Sequence, residues 1–200
     1  MDSIRPLRVV ALLDTFGNGL ILQLAFVVFS IPIITTVPAA VALQRQLADL
    51  HTGRRTGFVP FAKEFITSWR ASWPLGILAP LVATGFAAAI PFWYSAASPF
   101  ARVGLGFLVC LLGLAGGCYL NVLRAAEVAS EERWRQWLAT AFEQMIRHSL
   151  RSLCGLIVFF AWLVTLAYVP TLLLVGSGIV PALIVRYVLE PPADNQASRS

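Results

Sequence analysis

Two histidines (His51 and His148), three cysteines (Cys110, Cys118 and Cys154) and the triplet Gly176-Ser177-Gly178 are the residues here whose types could carry chemistry. Their spacing specifies none. Each histidine lies in a basic stretch near arginines, with no HExxH or paired-ligand pattern beside it. The cysteines form no CxxC pair and sit inside or beside apolar segments, where they act as small packing residues. The Ser177 triplet lacks the full G-x-S-x-G pattern and is followed by Pro181, so it reads as a helix turn. No Walker A loop or dinucleotide fingerprint is present, which argues against a pump subunit that carries its own motor. The expectation is a protein that is not an enzyme, with no catalytic residue, no cofactor and no metal.

The elements around these residues are those of a membrane protein. Of 200 residues, 58% are hydrophobic and 12% charged, against roughly a quarter charged in soluble domains. A compact domain of this length cannot bury so much apolar area internally, so lipid must cover the excess. The net charge of +5 comes mainly from two stretches, Arg45 to Arg70 and Arg124 to Arg151, each flanked by apolar runs. Arginines that flank apolar spans follow the positive-inside pattern, not that of a nucleic-acid-binding face. A signal-peptide reading of the first run, with Ala40-Val41-Ala42 as cleavage site, is disfavoured by Asp14 and by the membrane-like chain that follows.

These patterns predict an all-α polytopic helical membrane protein. About five transmembrane helices and two cytoplasmic amphipathic aromatic-basic segments form one domain, residues 1–190, before a disordered polar tail, 191–200. Ser3 to Thr15 either lies at the interface or extends the first span, Phe16 to about Val37. Pro32 and Pro38 remove helical hydrogen bonds, so this span should kink or break between Ile33 and Val37. Pro32, Thr35, Thr36 and Pro38 are thus the candidate functional bend, since broken helices at membrane depth present backbone groups to ligands.

A helix resumes over Ala39 to Leu50 and ends at Gly53 and Gly57. Pro60 then starts a short in-plane helix with Phe61, Phe65, Trp69 and Trp73 every fourth residue, ahead of a second span from Pro74 to Tyr94. Val103 to Leu123 is the third span, with Gly106, Cys110, Gly113 and Gly117 as a small-residue helix-packing face. In the second basic segment Ser130 is an N-cap, Glu131–Arg135 and Glu143–Arg147 are i,i+4 pairs, and Trp134 and Trp137 join the other aromatics as interfacial anchors. Phe61 to Arg70 and Phe142 to Arg151 resemble each other in spacing, a faint internal repeat. Leu153 to Tyr187 is too long for one span and fits two joined by a tight turn between Pro170 and Gly178.

Arginine and lysine cluster after the first and third spans, which places both basic connections in the cytoplasm, the N-terminus outside and, with five spans, the C-terminus inside. A single crossing by the last run would leave the C-terminus outside. The spans lack acidic and basic residues near their centres, which disfavours ion-coupled transport. Asn18, Gln23, Thr35, Thr36, Asn121 and Tyr168 read as interhelical hydrogen-bonding groups.

The run Phe29-Ser30-Ile31-Pro32-Ile33-Ile34-Thr35-Thr36-Val37-Pro38, followed by small residues to Leu43, resembles the signature of the YesL-like family of bacterial membrane proteins. Phe61-Ala62-Lys63-Glu64-Phe65 is similar to that family's aromatic-basic stretch, and Thr36-Val37 stands where an Ile-Gly pair is expected. The resemblance covers residues 16 to about 75 and implies a multi-pass protein of the bacterial inner membrane, of a family without assigned function, accessory to carbohydrate uptake. No catalytic residue carries over. The expected partners are a bilayer with anionic headgroups and a membrane transporter or a second copy of the chain, with no nucleic acid. The alternative function is a small passive solute carrier or channel that binds at the Pro-broken end of the first span.

Overall fold

The computed structural model describes residues 4–96, 98–128, 134–169, 171–172 and 176–189, with side chains from residue 17 onward apart from residue 167. The predicted Ser130 cap, the Glu131–Arg135 pair and the polar tail lie outside these residues. The described elements are helical: α1 (Ile4–Phe29), a 3₁₀ turn (Ile33–Thr35), α2 (Thr36–His51), α3 (Phe58–Ser95), α4 (Pro99–Val128), α5 (Trp134–Arg147), α6 (Ser149–Tyr168) and α7 (Ile179–Ile184). A π-helical turn over Val185–Leu189 follows α7. Three of them, α3, α4 and Ser149–Leu166 of α6, are long and apolar enough to cross a membrane.

Prolines place the helix boundaries. Pro32 precedes the 3₁₀ turn, while Pro38 is the third residue of α2 and Pro60 the third of α3. Neither of these two first-turn prolines removes an intrahelical bond, because first-turn N–H groups have no partner in the helix. The break in the first apolar run therefore falls at Ser30–Thr35, slightly earlier than its two prolines suggest. The Thr35 hydroxyl donates to the carbonyls of Phe29 and Pro32, and the Thr36 hydroxyl to Ile33 O at 2.8 Å. These threonines satisfy carbonyls that the break released from the helix.

Residue pairs fix the packing. Gly76 lies against Ile34 and Pro38, and Arg45 meets Glu64, so α2 runs antiparallel along the first half of α3. Gly117 lies by Met145 and Val122 clusters with Ala141, so α5 returns along α4. The chain breaks at His148, and α6 continues in the same sense, with Ser152 near Asn121 and Leu156 beside Gly113 and Gly116. After α6 the chain folds back along it, with Gly176 against Trp162, and Ile184 and Leu189 against Gly155.

One sequence expectation is corrected here. The aromatic stretch from Phe61 to Trp73 is not a separate in-plane helix, since α3 is continuous through Pro74, Pro80 and Pro91 for 38 residues, or roughly 57 Å at 1.5 Å per residue. That exceeds the ~30 Å apolar core of a bilayer. The aromatic half is the membrane helix's own extension. On α2, residues 37–47 are buried without interruption, because α1, α3, α4 and α7 all pack against it.

The returning C-terminal segment is held by a glutamine of α1. Buried Gln23 accepts the Ile179 N–H through Oε1 at 3.0 Å and donates from Nε2 to Ser177 Oγ at 3.1 Å. It satisfies backbone that an interrupted helix leaves open, a condition for placing such backbone at membrane depth. In Gln23→Leu the Ile179 amide loses its acceptor, at a cost of about 1–3 kcal/mol. Exchange at that amide should accelerate at least tenfold, while amides at the α4–α6 contact keep their protection. Hydrogen exchange read by mass spectrometry checks this.

Candidate functional site at the basic end of the bundle

The two basic stretches meet. Gln44, Arg45 and Gln46 are consecutive on α2 and all buried, with Arg45 8% exposed. Arg45 donates from Nη1 to Glu64 Oε1 on α3 at 2.6 Å and from Nε to Ala126 O on α4 at 3.0 Å. Its guanidinium carbon lies 5.5 Å from the ring centroid of Trp137 on α5, a cation–π contact. One side chain thereby ties three helices to α2. Beside it Gln44 Nε2 donates to Glu127 Oε2 at 2.6 Å, Arg186 lies 3.9 Å from Glu127 Oε1, and Arg54 pairs with Asp49 at 3.2 Å.

Arg45 and Arg54, with Asp49, Glu64 and Glu127, line a polar recess of about 340 Å³ whose walls include Thr52, and Arg186 approaches Glu127. The charges compensate internally. Burial is tolerated at Arg45, the most desolvated of these groups, because Glu64 lies within reach, while Arg54 stays largely in water. No cluster of three or more histidine, cysteine or acidic side chains able to hold a metal ion occurs among the described residues. The exposed Arg147–Glu143 pair at 2.8 Å is the expected i,i+4 bridge and adds little stability.

The α2-facing stripe of α3 is the feature that sequence reading missed. Glu64, Ser68, Ser72 and Gly76 recur every four residues, with Ser68 and Ser72 buried and Gly76 against the backbone of Ile34. Small residues at this spacing let helices approach closely. Phe61, Phe65, Trp69 and Trp73, one position off this stripe, carry the stronger visual signal. Phe61 is fully buried and, with Phe65 and Phe58, surrounds the ring of Phe29 at centroid distances of 4.7–5.8 Å.

Phe61 and Trp137 are therefore core residues and not interfacial anchors, because Phe29 covers one and Arg45 the other. Phe65, Trp69 and Trp134 are half-buried, and Trp73 is exposed. The predicted packing face of α4 is used in part. Gly113 and Gly117 pack against Leu156 and Met145, whereas Gly106 has open space around it and Cys110 is exposed. Gly116, outside the predicted set, approaches α6 more closely than Gly113 does, at Leu156 and Phe159.

At the bend, Pro32 is exposed and Pro38 buried, and Thr35 and Thr36 are turned onto backbone carbonyls. Buried Asn121 donates to Gly117 O at 2.8 Å and to Ser152 Oγ at 3.3 Å. Neither Thr35 nor Asn121 lines the apolar groove of about 320 Å³ between α3, α4, α5 and α6, whose walls include Leu75, Val82, Phe86, Tyr119, Leu138 and Phe159. Comparison with protein-family models, curated proteins and solved structures gives no match.

Proposed function

We propose that this chain is a non-catalytic integral membrane protein of the bacterial inner membrane that acts by binding another membrane protein through the open half of the α4 stripe. The observation that carries this reading is the contrast along one helix face. Gly113 and Gly117 are filled from within, while Gly106 and Cys110 face outward among exposed Val103, Phe107 and Val109. A helix from a partner fits such a strip closely in lipid. The polar groups that a solute carrier needs at depth are taken up in internal bonds at Gln23, Thr35 and Asn121. The likeness of residues 29–43 to the YesL-like signature adds carbohydrate uptake as the process served.

In this reading the chain passes the bilayer five times, as α1, α3, α4, α6 and the folded-back segment that ends in α7. The end that carries Arg45, Arg54, Arg135 and Arg147 faces the cytoplasm on the positive-inside rule, with the N-terminus outside. The exposed arginines there meet anionic headgroups.

Affinity capture from membranes in mild detergent should recover a stoichiometric membrane partner with the wild-type chain. Gly106→Leu, which fills the strip without touching the internal core, should lower that recovery at least fivefold. A chain that runs as a solitary monomer, or a partner retained fully by the variant, overturns the proposal.

A further inference from the structure

The apolar groove has a built orientation that the partner-binding reading does not use. Its floor on α3 runs from Leu75 to Phe86, a rise of roughly 16 Å along the helix. Leu78 and Val82, which line it, are also exposed on the outer surface, so the groove is open along its length to whatever surrounds these helices. At the basic end its wall is Leu138, and one turn further toward that end Trp134 packs on the same cluster as Val37, Leu75 and Val122. The exposed Arg135 guanidinium carbon lies 5.3 Å from the centroid of the Trp134 ring. The groove is thus apolar for its whole depth and ends at an indole and a guanidinium.

We propose that this groove holds one acyl chain of an anionic phospholipid, its phosphate at Arg135 and its glycerol region beside Trp134. The proposal rests on the membrane placement given above. An acyl chain fits because the groove's lining is almost wholly apolar: Tyr119 and Cys118 are its least apolar wall residues. A headgroup of negative charge fits because Arg135 is exposed and its guanidinium stands over the Trp134 ring at the groove's basic end. A guanidinium takes phosphate oxygens in paired hydrogen bonds, and indole rings settle at the headgroup level. At about 320 Å³ the groove lies at the small end of ligand-sized cavities, ~300–1,000 Å³. That size suits one chain better than a helix.

The test is native mass spectrometry of the protein released from vesicles of phosphatidylglycerol and phosphatidylcholine in equal amounts. Wild type should retain one phosphatidylglycerol per chain. Ala79→Phe, which fills the groove from a half-buried position, should cut retention at least tenfold, and Ala83→Phe, at an exposed position on the same wall, serves where the first variant fails to fold. Arg135→Gln should keep lipid retention but reduce the preference for phosphatidylglycerol at least fivefold. All three variants should remain in the membrane after an alkaline wash. Release of wild type by that wash sinks the membrane reading itself. A groove-filled variant that stays embedded and still holds its lipid, equal retention of the two lipids by wild type, or a groove-filled variant that loses a second copy of the chain in place of lipid overturns the groove proposal alone.

Discussion

Gly76→Ala should destabilise the protein more than any other single-methyl addition in α3. A Cβ added at Gly76 would collide with the carbonyl oxygen of Ile34. That oxygen belongs to the backbone of the 3₁₀ turn, so it cannot swing aside as a side chain can. Overpacking of this kind costs about 3 kcal/mol, and the helix propensity gained from alanine returns only about 1 kcal/mol. A net loss of about 2 kcal/mol follows, and α2 should separate from α3 first. Gly106→Ala is the matched control, with nothing within 4 Å of its added methyl group. It should leave stability unchanged or slightly raised. Reversible unfolding in mixed micelles, followed by the fluorescence of the six tryptophans, compares the two; equal stabilities would remove the close α2–α3 approach from the account.

Arg45→Met should be at least as damaging. It strands the Glu64 carboxylate, whose side chain is 27% exposed, and removes the donor to Ala126 O and the cation on Trp137. Removal of one partner of a buried pair costs about 3–5 kcal/mol, and the lower figure applies here because Glu64 keeps some contact with water. Arg45→Met with Glu64→Gln should recover a large part of that loss, for a coupling of about 1–3 kcal/mol. Arg45→Lys keeps the charge but loses the Nε bond and the planar stacking on Trp137, so it should fall between wild type and Arg45→Met. A double variant no more stable than Arg45→Met would show that Arg45 acts by packing and not through Glu64.

The prediction at Arg45 also marks where sequence reading stopped. The three membrane-length helices and the break near Pro32 were legible, because hydropathy and missing backbone donors act within a few residues of their cause. The role of α2 was not. Gln44, Arg45 and Gln46 in a row look like a solvated turn of helix, and their burial depends on Glu64 and Glu127, which lie 19 and 83 residues from their partners in the chain.

The stripe on α3 failed differently. Four-residue spacing was seen, but on Phe61, Phe65, Trp69 and Trp73, while Glu64, Ser68, Ser72 and Gly76 carry the same period one step away. Periodicity shows that a helix has faces; the partner decides which face is buried. For α4 the spacing marks a strip of small residues, but neither the packing of Gly116 nor the division between the filled Gly113–Gly117 half and the open Gly106–Cys110 half is visible in it, since both depend on where α5 ends and α6 begins.

Everything proposed for this protein requires that both basic stretches lie on one side of a membrane and the α3–α4 turn on the other. Single cysteines at Arg55, Glu143 and Ser95, in a chain with Cys110, Cys118 and Cys154 replaced, report that arrangement through labelling by a membrane-impermeant maleimide. In intact cells Ser95→Cys should react, and Arg55→Cys and Glu143→Cys should react only after the membrane is opened. Reaction of Arg55→Cys and Glu143→Cys from opposite sides, or of all three alike in intact cells, contradicts the account.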